Sequence, residues 1–118
     1  KRKLCSHLST YGQWAAAYES MALARAMGLP QEVLEDAGRS NGQLTDLMIA
    51  YLTTHKLPEQ ARKSDDFQQL MRGHMTIGEK DLAWALQLAR KSGVALPVAS
   101  LVSQWMARLY GVEDDRRR

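Results

Sequence analysis

Residues 3–30 read KLCSHLSTYGQWAAAYESMALARAMGLP, and this stretch decides the fold. Leu4, Leu8, Tyr11, Ala15, Tyr18 and Ala22 recur at spacings of four and three, which places them on one face of a helix. Trp14, Met21 and Leu23 widen that apolar face around the cylinder. Gly28 supplies a C′ glycine and Pro30 a stop, so a single helix is predicted from Lys3 to Met27. At about 1.5 Å per residue it would run about 37 Å, longer than an average globular helix. Gly12 near its middle costs about 1 kcal/mol against alanine unless another backbone packs there.

Working outward, the rest of the chain also reads as helix. Alanine and leucine together number 31 residues, valine and isoleucine only 7, a balance that favours helix over sheet. Pro30 can open a second helix with Glu32, Glu35 and Asp36 near its positive end. Gly38 to Gly42 is a break, after which Leu44, Leu47, Met48, Tyr51 and Leu52 form a third helix, ended by Thr53, Thr54 and Pro58. Residues 56–73 are polar and poorly periodic, with Phe67, Leu70 and Met71 as their anchor. Thr76-Ile77-Gly78-Glu79 has the form of a capping box, so a further helix is predicted to start there. Leu82, Ala85, Leu86 and Ala89 lie inward on it, and Gly93 stops it. Pro97 starts the last helix, with Val98, Leu101, Val102, Trp105 and Leu109 inward and Gly111 at its end. The expectation is an all-α bundle of five to six helices forming a single domain over residues 1–118.

Composition narrows the function classes. The apolar fraction is 45% and the charged fraction 25%, ordinary for a globular domain and unlike a disordered chain. Cys5 is the single cysteine, so no internal disulfide forms and a reducing, cytoplasmic setting is expected. No run of 18 apolar residues exists to span a membrane, and no apolar segment follows the opening KRK, as a signal peptide would need. Of the 16 basic residues, six sit at the two ends: Lys1, Arg2, Lys3 and Arg116, Arg117, Arg118. That leaves ten against 13 acidic residues between positions 4 and 115, a net of −3. A nucleic-acid binder carries its basic charge on the folded body, so no nucleic-acid partner is expected.

The chemistry available to the chain alone is incomplete. His7, His55 and His74 lack the spacing of a zinc site, and no metal is expected. Cys5 and His7 are two apart on a helix and point to different faces. No phosphate-binding glycine motif is present. Two placements stand out. Lys3 and His7 are four apart on one face, and Lys80-Asp81 falls in the predicted first turn of its helix, where a lysine opposes the helix dipole.

Those placements fit a family. The 3–30 stretch resembles the opening of the C-terminal domain of β-hydroxyacid dehydrogenases, the family of 3-hydroxyisobutyrate dehydrogenase and, more distantly, 6-phosphogluconate dehydrogenase. There a long interdomain helix opens with K-[LI]-x-x-N and stops at a G-[LI]-x-P-like end. Here Lys3-Leu4 and Gly28-Leu29-Pro30 match, with Glu19 at the family's acidic position. The family's K-D-L-x-x-A start is matched by Lys80, Asp81, Leu82 and Ala85. ARKSGVALPVA at residues 89–99 matches its A-x-x-x-G-x-x-x-P ending, and Gly38-Arg39-Ser40 its small-residue loop. The resemblance runs from Lys3 to about Leu109.

The resemblance implies that Lys3 is the catalytic lysine, which handles the hydroxyl proton of the substrate as hydride passes to a nicotinamide. Lys80 is implied to reach the cofactor side of the interdomain cleft, with Asp81 structural. His7 and Ser6 are implied to face substrate, and both depart from the family, which has asparagine at the first and often at the second. It further implies a small hydroxy acid or semialdehyde substrate. NAD or NADP would be held mainly by an N-terminal Rossmann domain that this chain lacks, and a homodimer would form through the helices. On that reading the isolated chain is inactive. Two other readings stand beside it: a helical interaction or dimerisation module without enzymatic activity, and a homologue that has lost catalysis, with His7 as the mark.

Overall fold

The structure, a computed structural model, describes residues 2–114, and among these every regular element is helical. Lys1 and Arg116–Arg118, parts of the two basic ends, lie outside the described residues. Helix α1 spans Arg2–Ala26, within a residue of its expected bounds at either end. Gly28 closes it in the left-handed conformation at φ 77°. Leu29 N then donates to Ala24 O at 2.9 Å and Gly28 N to Arg25 O at 3.1 Å, which satisfies carbonyls that a helix end leaves open. Val98, on the helix that follows Pro97, offers its side chain and not its backbone to Gly12, so no backbone approach repays that glycine.

Helix α2 covers Gln31–Ser40 and helix α3 Asp46–Thr53, the latter capped by Thr45 Oγ1, which accepts from Met48 N at 3.2 Å. A 3₁₀ turn, Thr54–Lys56, and the short helix α4, Glu59–Arg62, follow. A polar relay ties these parts together. Arg25 donates to Gln31 Oε1 at 3.1 Å, buried Gln31 donates to Glu35 Oε1 at 2.9 Å, and Lys56 Nζ meets Glu35 at 3.2 Å and Glu32 at 2.8 Å. The Lys56 ammonium holds the Glu32 carboxyl below its usual value, and Glu32 raises Lys56 in return.

The largest departure from the sequence reading is helix α5, which runs unbroken over Asp65–Ser92 for 28 residues. Its cap is Ser64, whose hydroxyl accepts from Phe67 N at 3.3 Å. Thr76 caps nothing: its hydroxyl donates to Arg72 O at 2.8 Å within the helix. The physical reason is the buried stripe Met71, Met75, Gly78, Leu82 and Ala85, whose spacings of four and three continue through the expected start. Lys80 and Asp81 therefore sit in mid-helix, and neither opposes or complements a helix terminus.

The last expected helix is two. Helix α6 covers Pro97–Ser103 and helix α7 Met106–Tyr110. Ser103 Oγ donates to Ser100 O at 2.7 Å, and Trp105 N reaches back only three residues to Val102 O at 2.9 Å, so the helix tightens and turns there. The turn leaves Val98 and Leu101 exposed and sends Met106 and Leu109 to full burial. Helix α7 packs on α5, and α1 packs on both α5 and α6. The core between them is built from Trp14, Met21, Leu52, Met75, Leu82 and Leu109 with their neighbours. Leu23, expected to widen the apolar face of α1, is exposed.

Gly78 and Gly73 lie five residues apart on α5. A Cβ at Gly78 would stand 3.0 Å from Tyr11 Oη and nearer still to the terminal methyl of buried Met106, whereas one at Gly73 would meet nothing. Gly73→Ala is expected to stabilise by about 0.5–1 kcal/mol through backbone entropy. Gly78→Ala is expected to destabilise by about 1 kcal/mol, overpacking outweighing the same gain. Urea midpoints of the pair give the comparison, and stabilisation by both would show that the contact at Gly78 yields freely.

His55, half-buried with Nε2 at 3.2 Å from Leu109 O and its ring against Tyr18, is held below 6.5 by burial. The unfolded chain thus takes the proton first. Stability is full above about pH 6.5 and falls as pH drops through the lower folded value. His55→Gln keeps a donor for Leu109 O without titrating. Its urea midpoint is expected to fall less than that of the natural chain between about pH 7.5 and about pH 5.5. Equal falls would assign the loss to other groups.

Candidate functional site

The site forms where α1 lies against α5. His7 meets Asp81 and Tyr11 meets Gly78, so as α1 advances the contacts recede along α5, and the two helices run antiparallel. His7 Nδ1 lies 3.3 Å from Asp81 Oδ2. The side chains keep 46% and 26% of their exposure, so the pair sits at the surface with one flank covered. Asp81 was expected to serve a helix end; instead it fixes the imidazole of His7 across two helices.

The other expected site residues lie on the same two helices as this pair. Lys3 is one turn before His7 on the same helix and is exposed, and Ser6 is exposed with its carbonyl accepting from Thr10 Oγ1 at 3.3 Å. Lys80, also exposed, adjoins Asp81. Among the described residues neither Lys3 nor Lys80 has an ion-pair partner. The structure thus unites His7 with Asp81 and leaves both lysines open to solvent or to a covering surface.

Behind His7 is a cavity of about 210 Å³ that the sequence reading missed. Exposed Thr10, Leu47 and Ile77 stand at its mouth beside His7, and buried Trp14 and Met48 lie at its floor. Its walls are aromatic. Trp14 meets Tyr110 edge-on at 4.7 Å between centroids, Tyr51 meets Tyr110 edge-on at 5.5 Å, and His74 stacks on Tyr110 at 6.3 Å. These rings come from α1, α3, α5 and α7, so no local motif announces them. On the sequence, Tyr11, Trp14 and Tyr51 read as core.

Two phenols of this cavity are held in their protonated form. Burial, then the nearby Asp81 carboxylate, raises the Tyr11 phenol. Burial, then its neighbour Tyr11, raises Tyr110 further. The chemistry on offer is an oriented imidazole at the rim of an apolar, aromatic recess. Among the described residues no group of three or more His, Cys, Asp or Glu could hold a metal ion. No helix among them is long and apolar enough to cross a membrane.

The chain is 32% identical over 116 residues to two uncharacterized oxidoreductases from strains of Mycobacterium tuberculosis. The match takes in 95% of this chain and 38% of each relative, so the chain spans well under half the length of these curated relatives. No family model matches the chain, and no solved structure matches it.

The raised tyrosines give a direct test of how dry the recess is. Ionisation is easier in the unfolded chain, so their contribution to stability is full below about pH 10 and declines as pH rises through the folded values. In an alkaline absorbance titration, the phenolate signal removed by Tyr110→Phe is expected to appear only together with loss of helical circular dichroism. A Tyr110 signal near pH 10 in the folded chain would show the cavity to be wet.

Proposed function

We propose that this chain is the helical, substrate-side domain of an NAD- or NADP-dependent dehydrogenase of the β-hydroxyacid type. The supporting observation is the match of 95% of the chain to 38% of two proteins named as oxidoreductases. It agrees in kind with the resemblance carried by Lys3-Leu4, Gly28-Leu29-Pro30 and Lys80-Asp81-Leu82. The remaining length would supply the nucleotide-binding Rossmann domain, and the setting would be cytoplasmic.

The residues fit the reactive end of such a cofactor only. Lys80 would supply a cation on the turn that carries Asp81, while among the described residues there is no strand, and hence no strand–glycine turn–helix cradle for a pyrophosphate. A bound nicotinamide would supply the hydride acceptor for the carbinol carbon of a small hydroxy acid, or the hydride donor for a semialdehyde. Lys3 takes the hydroxyl proton as the carbonyl forms. A lysine suits that task once a covering surface desolvates it. His7, oriented by Asp81, hydrogen-bonds the substrate in place of the family's asparagine, and Ser6 lies beside it. Lys80 favours the anionic groups of cofactor and substrate.

The same reading takes the domain to be the dimer contact. Leu70 and Trp84 are exposed two heptads apart on α5, a spacing suited to helix pairing with a second copy.

The test uses the longer enzyme containing this chain, with NAD and NADP against a panel of 3-hydroxy acids and semialdehydes. Turnover is expected, and Lys3→Ala should lower kcat by at least about 100-fold with the fold intact by circular dichroism. A Lys3→Ala enzyme within tenfold of the natural one, or NAD(P)H oxidation by the 118-residue chain alone, overturns the proposal.

A further inference from the structure

We propose that the aromatic cavity behind His7 seats the side chain of the substrate and takes a single six-membered ring. The inference rests on the dehydrogenase reading for the polar end of the ligand, but not for the ring.

Size carries the first part. A dry apolar cavity of about 150 Å³ accepts benzene, so a recess of about 210 Å³ takes one ring and a short substituent. Wall chemistry carries the second. The Trp14, Tyr51 and Tyr110 rings present edges and faces at centroid separations of 4.7–5.5 Å, the range in which aromatic pairs attract beyond their buried area.

Position carries the third. Leu47 and Ile77 are more than half exposed although they line the recess, so apolar surface continues from the floor to the mouth. His7 stands at that mouth with Asp81 behind it. A ligand whose ring fills the recess therefore brings the atom attached to the ring to the imidazole. An aliphatic hydroxy acid with a methyl side chain leaves most of the volume empty and gains little from the walls.

The first probe is benzyl alcohol, added to the 118-residue chain and followed by nuclear magnetic resonance. Saturable shifts are expected at the Trp14 indole and the His74 ring, with the Trp84 and Trp105 indoles unmoved. Leu47→Phe and Thr10→Phe place a larger group at the mouth on exposed positions, and each should weaken binding at least about fivefold. Shifts confined to Trp84 or Trp105, no saturation, or indifference to both variants overturns the proposal and leaves the dehydrogenase reading standing.

The second probe pair, offered to the longer enzyme, is 3-hydroxy-3-phenylpropanoate and 3-hydroxybutanoate. The phenyl acid should exceed the methyl acid in kcat/KM by at least about tenfold. Equal values, with benzyl alcohol bound at Trp14, overturn the assignment of the cavity to substrate. Turnover of neither acid, with the ring still bound, keeps the ring site and overturns the hydroxyacid reading.

Discussion

The close approach at Gly78 governs the molecule. There the α5 backbone lacks a side chain, and Tyr11 from α1 and Met106 from α7 occupy the space a Cβ would fill. Three helices meet at that point, and the antiparallel register of α1 and α5 is set by it. Shift the register by one turn and a larger residue replaces glycine at the contact, which a close-packed interior does not absorb. The same register brings His7 opposite Asp81 and opens the aromatic recess beside Tyr11. Fold and candidate site thus share one constraint.

Much of the fold was legible because the long helices advertise themselves. The bounds of α1 followed from its apolar spacing and from Gly28-Leu29-Pro30, and the all-helical class from the excess of alanine and leucine. The misreadings have a common physical cause. At Thr76 a local capping pattern competed with a stripe of methionines and a glycine that only tertiary packing rewards, and packing prevailed. At Ser103 the reverse occurred: an apolar pattern continued, while side-chain hydroxyls took backbone carbonyls and the helix turned.

The site was legible only where it is local. Lys3, Ser6 and His7 share one helix turn, and Lys80-Asp81 another, so a sequence reading could find each group. It could not join His7 to Asp81 across 74 positions, nor gather rings from four helices. The tyrosines that make the recess read as ordinary core for a sound reason. Aromatic residues at helical spacing bury alike against protein or around a cavity, and only the volume left between them distinguishes the two.

The His7–Asp81 pair contributes more to orientation than to stability. A half-exposed contact of this kind is worth no more than about 1 kcal/mol, since water screens it and two side chains lose freedom. A second surface laid over the rim would exclude that water. The same 3.3 Å contact would then act through a lower dielectric, and Lys3 and Lys80 would face charge at close range without competing solvent. The chain carries its polar groups on the rim and its aromatic groups in the open recess behind it. On the proposed reading, that division suits a domain that binds a ring unaided and handles a proton once its rim is covered.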